Sequence, residues 1–365
     1  MATLSVRRFK TALAVCGLWL FAVACNSGSN KASTASSSAG NEITGAGSTF
    51  VYPIMGRWIS TFQQSNPDVR INYQSIGSGG GIQQLKKGLV DFGASDAALS
   101  DDQLKDMPPL VQVAESAGPV CITYNLPSLK QPLKLSPATL AGIYLGKIKK
   151  WHDPGIAKDN PGVSLPDVDV VVAHRSDGSG TTNIFTTYLD AVDPSWHSKV
   201  GKGLSVNWPV GLGGKGSEGV TGVVKQTEGG IGYVELTYAA QNNLPVAQIK
   251  NAAGKWISPS SESASAAIAA FKDKLSKDVR SDVVNPPASA SEAYPISGLT
   301  FLLIPKQPQD AARAQTVHKF VRYILAQGQD LATDMHYSKL PPELQQVDQQ
   351  ILAQISGGNS GPGGK

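Results

Sequence analysis

Three short segments of this chain share a composition suited to holding an anion. Residues 45–50 read Gly-Ala-Gly-Ser-Thr-Phe, residues 77–81 read Gly-Ser-Gly-Gly-Gly, and residues 177–181 read Asp-Gly-Ser-Gly-Thr. Each sits where a strand-like run gives way to a helix-like one. A helix N-terminus offers unpaired N–H groups and a partial positive charge, which together favour an anion. Glycines let the backbone approach closely, and hydroxyls add short donors. One such turn is ordinarily only a helix cap. Three in one chain, with Arg175 just before the third, point to a small oxyanion held by neutral donors, each charged hydrogen bond contributing about 1.5–3 kcal/mol.

Two charged residues refine that chemistry. Asp96 ends the small-residue run Asp91-Phe92-Gly93-Ala94-Ser95-Asp96. It suits a turn or helix cap, and it also suits a selective site. A carboxylate facing an anion repels it unless the anion brings a proton to donate, as phosphate does at neutral pH and sulfate does not. Arg175 has the planar fork that matches oxyanion oxygens. It is equally placed to make a surface pair with Asp177, and the two roles are compatible.

Other phosphate and catalytic motifs do not fit. Gly45 and Gly47 lack the third glycine of a dinucleotide fingerprint, where Phe50 stands. Gly214-Lys215 has Pro209 at the P-loop's first glycine position and Gly216 in place of its Ser or Thr. The glycines around Ser179 have the wrong offsets for a nucleophile elbow. His152, His174, His197, His318 and His336 show no metal-ligand spacing, so no metal or other cofactor is expected. An exported phosphatase would need a metal cluster or an activated nucleophile, and the expectation is a binding protein, not an enzyme.

The elements that must position these turns alternate along the chain. Residues 43–46 suit a strand, and Ile54, Trp58 and Phe62 mark one face of a helix that Pro67 stops. Residues 69–73 alternate as a strand, Ile82, Leu85 and Leu89 suggest a second helix, and residues 90–94 a further strand. The rhythm continues with a valine-rich strand at 168–173, a helix carrying Ile184, Phe185, Tyr188 and Leu189, and a strand at 301–304. A last helix carries Val317, Phe320, Val321 and Ile324. This pattern predicts an α/β fold with a parallel or mixed sheet covered by helices on both faces.

The 365 residues are enough for one large or two medium domains, and 41% hydrophobic with 16% charged residues describes an ordinary globular protein. The N-terminus reads as an export signal: Arg7, Arg8 and Lys10 precede an apolar stretch of about 14 residues, shorter than the about 20 of a membrane span. That stretch ends at Ala24, before Cys25 and a Ser/Ala-rich run. Residues 1–24 are therefore expected to be a signal peptide and 25–41 a flexible tether. Cys25 resembles the lipidated first residue of a bacterial lipoprotein, and the alternative is a plain signal peptide cleaved beside a cysteine. Loss of residues 1–24 removes three positive charges, taking the net charge from +4 to +1. No clustered basic face suggests nucleic acid. Cys121, alone in an apolar run, suits a buried structural thiol. The glycine-rich segment 357–365 is expected to be a flexible tail.

Taken together, these residues resemble the PstS family, the phosphate-binding proteins of bacterial phosphate ABC importers. The resemblance spans about residues 42–355 and rests on residues 44–50, 76–81, 91–96, 143–151, 175–181, 208–216 and 230–235, in that order. It implies a two-lobed periplasmic-binding-protein fold (type II), with the ligand between lobes joined by two hinge strands. One lobe would comprise residues 42–117 and 296–356, the other 118–295. It implies phosphate contacts from Thr49, Phe50 (through its backbone), Ser78, Asp96, Arg175, Ser179, Gly180 and Thr181. It also implies delivery to the membrane subunits of an ABC importer by an exported protein, and a monomer is the default expectation. Two positions depart from the family pattern. Ser48 stands where alanine is common, which adds a hydroxyl near the site, and Gly79 stands where a second serine is common. A receptor for another tetrahedral anion such as sulfate, or a sensory or adhesive module, remains the alternative within binding proteins.

Overall fold

The computed structural model describes residues 41–356. The signal segment 1–24, Cys25, the rest of the tether before Asn41 and the 357–365 tail lie outside the described residues.

The βαβ rhythm holds from the first strand. β1 (Glu42–Gly47), α1 (Tyr52–Ser65), β2 (Arg70–Ser75), α2 (Ser78–Lys86), β3 (Phe92–Ser95) and α3 (Asp101–Lys105) lead into β4 (Leu110–Tyr124). Next come β5 (Lys134–Leu135), α4 (Pro137–Tyr144), α5 (Pro154–Asp159), β6 (Val171–Arg175), α6 (Gly180–Val192), α7 (Pro194–Lys199), β7 (Leu212–Gly214) and α8 (Gly216–Gln226). The remainder comprises β8 (Gly230–Glu235), α9 (Leu236–Gln241), β9 (Gln248–Lys250), β10 (Trp256–Ile257), α10 (Ser261–Ala270), α11 (Lys272–Leu275), β11 (Ser297–Pro305), α12 (Ala311–Leu325) and α13 (Pro342–Ser356).

Eight strands form one mixed sheet in the order β2-β1-β3-β11-β4-β8-β6-β7, and β10-β9-β5 form a small second sheet. β1 pairs in parallel with both β2 and β3, and β6 in parallel with β8 and β7. Between these parallel sets lie the antiparallel strands β11 and β4. The 15-residue β4 is buried throughout and serves both sides. Its residues 110–119 pair with β11 and its residues 120–124 with β8. The change of partner falls at Pro119, which has no N–H to give the ladder. A bulge lies opposite Thr300 and Phe301, where Ser116 and Ala114 are the paired residues and Glu115 is the extra one.

The helices form where their apolar spacing allows. α1 buries Ile54, Trp58 and Phe62 and ends before Pro67. α6 buries Ile184, Phe185, Tyr188 and Leu189, and α12 buries Val317, Phe320, Val321 and Ile324. Cys121 is fully buried. Two expectations need correction. The stripe expected to run to Leu89 stops at Leu85, because α2 closes at Lys86, Gly88 turns with φ at 67°, and Leu89 is 65% exposed. The valine-rich run yields a strand only from Val171, which continues to Arg175. Val168 and Val170 instead hydrogen-bond Trp151 and Lys149 through their backbones, and Asp169 pairs with Lys150 near the surface.

Candidate anion-binding cleft

The three glycine-rich turns meet. β1 delivers its turn to the start of α1, β2 delivers Gly77 as the N-cap of α2, and β6 delivers Ser179 as the N-cap of α6. Contact between turns is direct: the N–H of Gly79 donates to the carbonyl of Gly178 at 2.9 Å. Gly77 has φ at 83°, and a β-carbon there would lie 2.2 Å from an Asp177 oxygen. A β-carbon on Gly180 would lie 2.6 Å from Asp96. Glycine is required at both positions by the closeness of the opposing turn.

Asp96 lies at the centre, 4% exposed, at the end of β3. Ser48 donates its hydroxyl to Oδ1 of Asp96, and Thr181 donates to Oδ2 at 3.3 Å. Ser78 Oγ accepts the N–H of Asp96 at 3.2 Å and that of Gly180 at 3.1 Å, so its hydroxyl hydrogen remains available to an acceptor. Burial pushes the Asp96 carboxyl up to about 6, against the pull of the Ser48 hydroxyl, the Arg175 charge and the Thr181 hydroxyl. The group is therefore mostly ionised at neutral pH.

Arg175 ends β6 with its side chain 1% exposed. Its Nε and Nη2 fork onto Asp177 at 2.8 and 2.5 Å, and Nη1 faces Thr181 Oγ1 at 3.5 Å. Asp177 also accepts the N–H of Gly216 at 3.0 Å. The surface pair that the sequence allowed is thus a buried one, and it aims Arg175 with one edge left over. With Asp96 and Asp177 against one guanidinium, the side chains around the cleft carry no excess positive charge. Attraction for an anion falls to hydroxyls, N–H groups and helix N-termini.

Ser179 is fully buried and its Oγ caps α6 by accepting from Thr182 N–H at 3.0 Å. Thr49, expected to face the ligand, has its hydroxyl 2.9 Å from Ser217 Oγ and accepts the Ser217 N–H at 3.2 Å. Tyr238 donates to the Thr49 carbonyl at 2.6 Å, and Tyr337 to the Phe50 carbonyl at 2.6 Å. The structure therefore brings Ser78, Asp96, Arg175, Gly180 and Thr181 into one network with Ser48 and Asp177, and binds Thr49 and Phe50 to a second set. Sequence reasoning missed Ser217, Tyr238 and Tyr337. A signal existed for Ser217, since Gly214-Lys215-Gly216-Ser217 is a fourth glycine-rich turn that opens a helix, α8.

A fold of parallel strands flanking two central antiparallel strands, with three glycine-rich turns meeting around a buried carboxylate, defines a substrate-binding protein of the two-lobed periplasmic-binding-protein class (type II). The model of the PBP superfamily domain matches residues 32–327. The chain is 44% identical over 304 residues to the phosphate-binding protein PstS of Xylella fastidiosa (strain Temecula1), covering 83% of this chain and 82% of that one. It is 42% identical over 305 residues to the PstS of Haemophilus influenzae, covering 83% and 90%. Among solved structures, a high-affinity periplasmic phosphate-binding protein (PfluDING), determined with phosphate bound, superposes with a TM-score of 0.68 at 22% identity over 85% of this chain and 93% of that one. The chain belongs to the PstS family of phosphate-binding proteins.

Proposed function

We propose that this chain captures inorganic phosphate in the cleft around Asp96 and delivers it to the membrane subunits of an ABC importer. The observation that carries the reading is the buried Asp96 carboxylate among donors contributed by three helix-opening turns. A monohydrogen phosphate donates its proton to that carboxylate and accepts from everything else. Sulfate has no proton to give and meets unrelieved repulsion. Phosphate contacts are assigned to Thr49, Phe50, Ser78, Asp96, Arg175, Ser179, Gly180 and Thr181.

Residues 42–117 with 296–356 form one lobe in this reading, and residues 118–295 the other. The partner exchange of β4 at Pro119 supports that division. Closure joins contacts from both sides, so ligand favours the closed state. The site reads as one for binding, not catalysis, because among the described residues Ser78 and Ser179 take N–H bonds from Asp96, Gly180 and Thr182 and neither is paired with a histidine that could activate it. Among the described residues no group of His, Cys, Asp or Glu is arranged to hold a metal ion, and no helix is long and apolar enough to cross a membrane. Export and attachment through a lipid on Cys25 follow from the N-terminal pattern, and the working form is a monomer.

Calorimetric titration of phosphate and sulfate into protein stripped of bound anion tests the reading. Tight phosphate binding with no sulfate binding at pH 7.5 is expected, and Asp96→Asn weakens the discrimination. Folded protein that takes up no phosphate would overturn it.

A further inference from the structure

We infer that Ser48 is a specificity-determining residue of this cleft: its buried hydroxyl fixes Asp96 as an acceptor, so that only an oxyanion bringing its own proton is admitted. The inference rests on the phosphate reading above and adds to it a residue outside the assigned contact set.

The geometry leaves the Ser48 hydroxyl little choice. Ser48 is fully buried in the turn between β1 and α1. Its N–H is fixed to the carbonyl of Ala94 on β3 at 2.9 Å, two residues before Asp96. Its carbonyl accepts from Tyr73 Oη at 2.9 Å. Its Oγ accepts the N–H of Val51 at 3.2 Å, so the single hydroxyl hydrogen is left for Oδ1 of Asp96.

Every element packed on Asp96 bears on the same balance. Thr181 from α6 donates to Oδ2, while Thr300 from β11 gives its one hydroxyl hydrogen to Glu115 at 3.0 Å. Arg175 from β6 favours the charged form through its own charge. Glu115 on β4 and Tyr73 on β2 are raised chiefly by burial, with the Asp96 charge among the further causes, so Tyr73 stays neutral across this pH range. Burial is the largest influence on Asp96, and the Ser48 hydrogen bond is the first of those that offset it.

Without that hydrogen bond the carboxyl takes up a proton at higher pH and becomes a donor. A donor there welcomes a fully ionised anion and no longer requires a proton from the ligand. A hydrogen bond to a charged group shifts such a proton equilibrium about tenfold or more, one pH unit. The effect should be graded by donor strength, because a cysteine thiol donates weakly and alanine not at all.

The test is a titration series on the full chain, with phosphate and sulfate, from pH 5 to 8.5, for wild type, Ser48→Cys and Ser48→Ala. Asp96 is followed in parallel by carbon-13 NMR of its carboxyl without ligand. The expected result is a midpoint for Asp96 about one pH unit higher in Ser48→Ala and intermediate in Ser48→Cys. Sulfate binding should emerge at correspondingly higher pH, while phosphate affinity at pH 7.5, where Asp96 stays mostly ionised in both proteins, should fall less than about twofold. Asp96→Asn should remove the pH dependence of sulfate binding in both the wild-type and Ser48→Ala backgrounds. An Asp96 midpoint and sulfate threshold unchanged in Ser48→Ala, with wild type still binding phosphate, would refute the role of Ser48 alone. Wild type that binds neither anion would refute the phosphate reading and this inference together.

Discussion

Two arginine–aspartate forks in this molecule have nearly the same local design and opposite surroundings. Arg175 forks onto Asp177, two residues later, at 2.8 and 2.5 Å. Arg280 forks onto Asp278, two residues earlier, at 2.9 and 2.8 Å, and reaches Asp101 at 2.5 Å. The side chain of Arg175 is 1% exposed and that of Arg280 is 29% exposed, with Asp101 at 81%. Geometry alone would rank the two equally. Desolvation separates them: a buried charge that loses its partner has no water to turn to, whereas an exposed one is rehydrated and screened. The same motif is part of a binding cleft in one place and a weak surface tether in the other.

Removing each arginine is the most direct way to break that comparison. Arg175→Ala leaves Asp177 half-buried without its partner, takes a compensating charge from Asp96, and removes the edge that faces Thr181. Phosphate affinity by calorimetry is expected to fall at least a hundredfold, with about 3–5 kcal/mol lost from stability in urea unfolding. Arg175→Lys should recover part of the stability and little of the affinity, because an ammonium cannot fork onto Asp177 and reach a ligand together. A variant within threefold of wild-type affinity would place the ligand elsewhere.

The contrast also shows what a sequence reveals. The glycine-rich turns, Asp96 and Arg175 were legible because local backbone demands and charge speak through neighbouring residues. The burial of Asp177 was not, since nothing within the turn tells that Gly77 and Gly216 close over it. Thr49 meets Ser217 across 168 residues, and Tyr238 and Tyr337 reach the same turn from α9 and from the loop before α13. Such pairings are set by how the sheet folds the chain back. The bulge at Glu115 is invisible for the same reason: it depends on the register of β4 against β11. Helix stripes were readable in α1, α6 and α12, where apolar residues fall on one face. The stripe failed at Leu89, where Gly88 breaks α2 while the apolar spacing continues.

Buried acids that lack a cation sharpen the comparison. For Asp177, burial pushes the carboxyl up, but Arg175 and the Gly216 N–H together hold it below the usual range. Glu115 and Glu235 are pushed up by burial to about 8 and Asp348 likewise to about 8, while Asp96, where the Arg175 charge opposes burial, rises only to about 6. Their folded values lie above the unfolded carboxylate values of about 4. The folded state therefore holds protons that the unfolded state has released. The stability this contributes is complete below about pH 4 and is lost as pH rises through 6 to 8. Urea midpoints are expected to decline from pH 6 to pH 9. Glu235→Gln, which keeps an acceptor for the Thr237 N–H and offers its amide N–H to Tyr337 Oη, should make that decline shallower. A midpoint that rises over this range would show that these acids are ionised in the folded protein.

The smallest effect is expected at the exposed fork. Arg280→Ala frees Asp278 and Asp101 into solvent, and an exposed pair of this kind contributes about 0.2–1 kcal/mol at low salt. Asp278 is held below the usual carboxylate range by hydrogen bonds from Arg280, opposed by slight burial, so its titration should move up toward the ordinary value in the variant. Salt at 1 M, where the screening length is about 3 Å, should erase most of the stability difference between Arg280→Ala and wild type while leaving that of Arg175→Ala largely intact. Phosphate affinity should stay within threefold. Arg280 does bridge two segments far apart in sequence, the start of α3 and the stretch after α11. If closing the cleft depended on that bridge, the variant would bind phosphate more weakly at low salt and wild type would match it at high salt. That result would make the exposed fork a second clasp on the cleft, and would end the distinction drawn from burial.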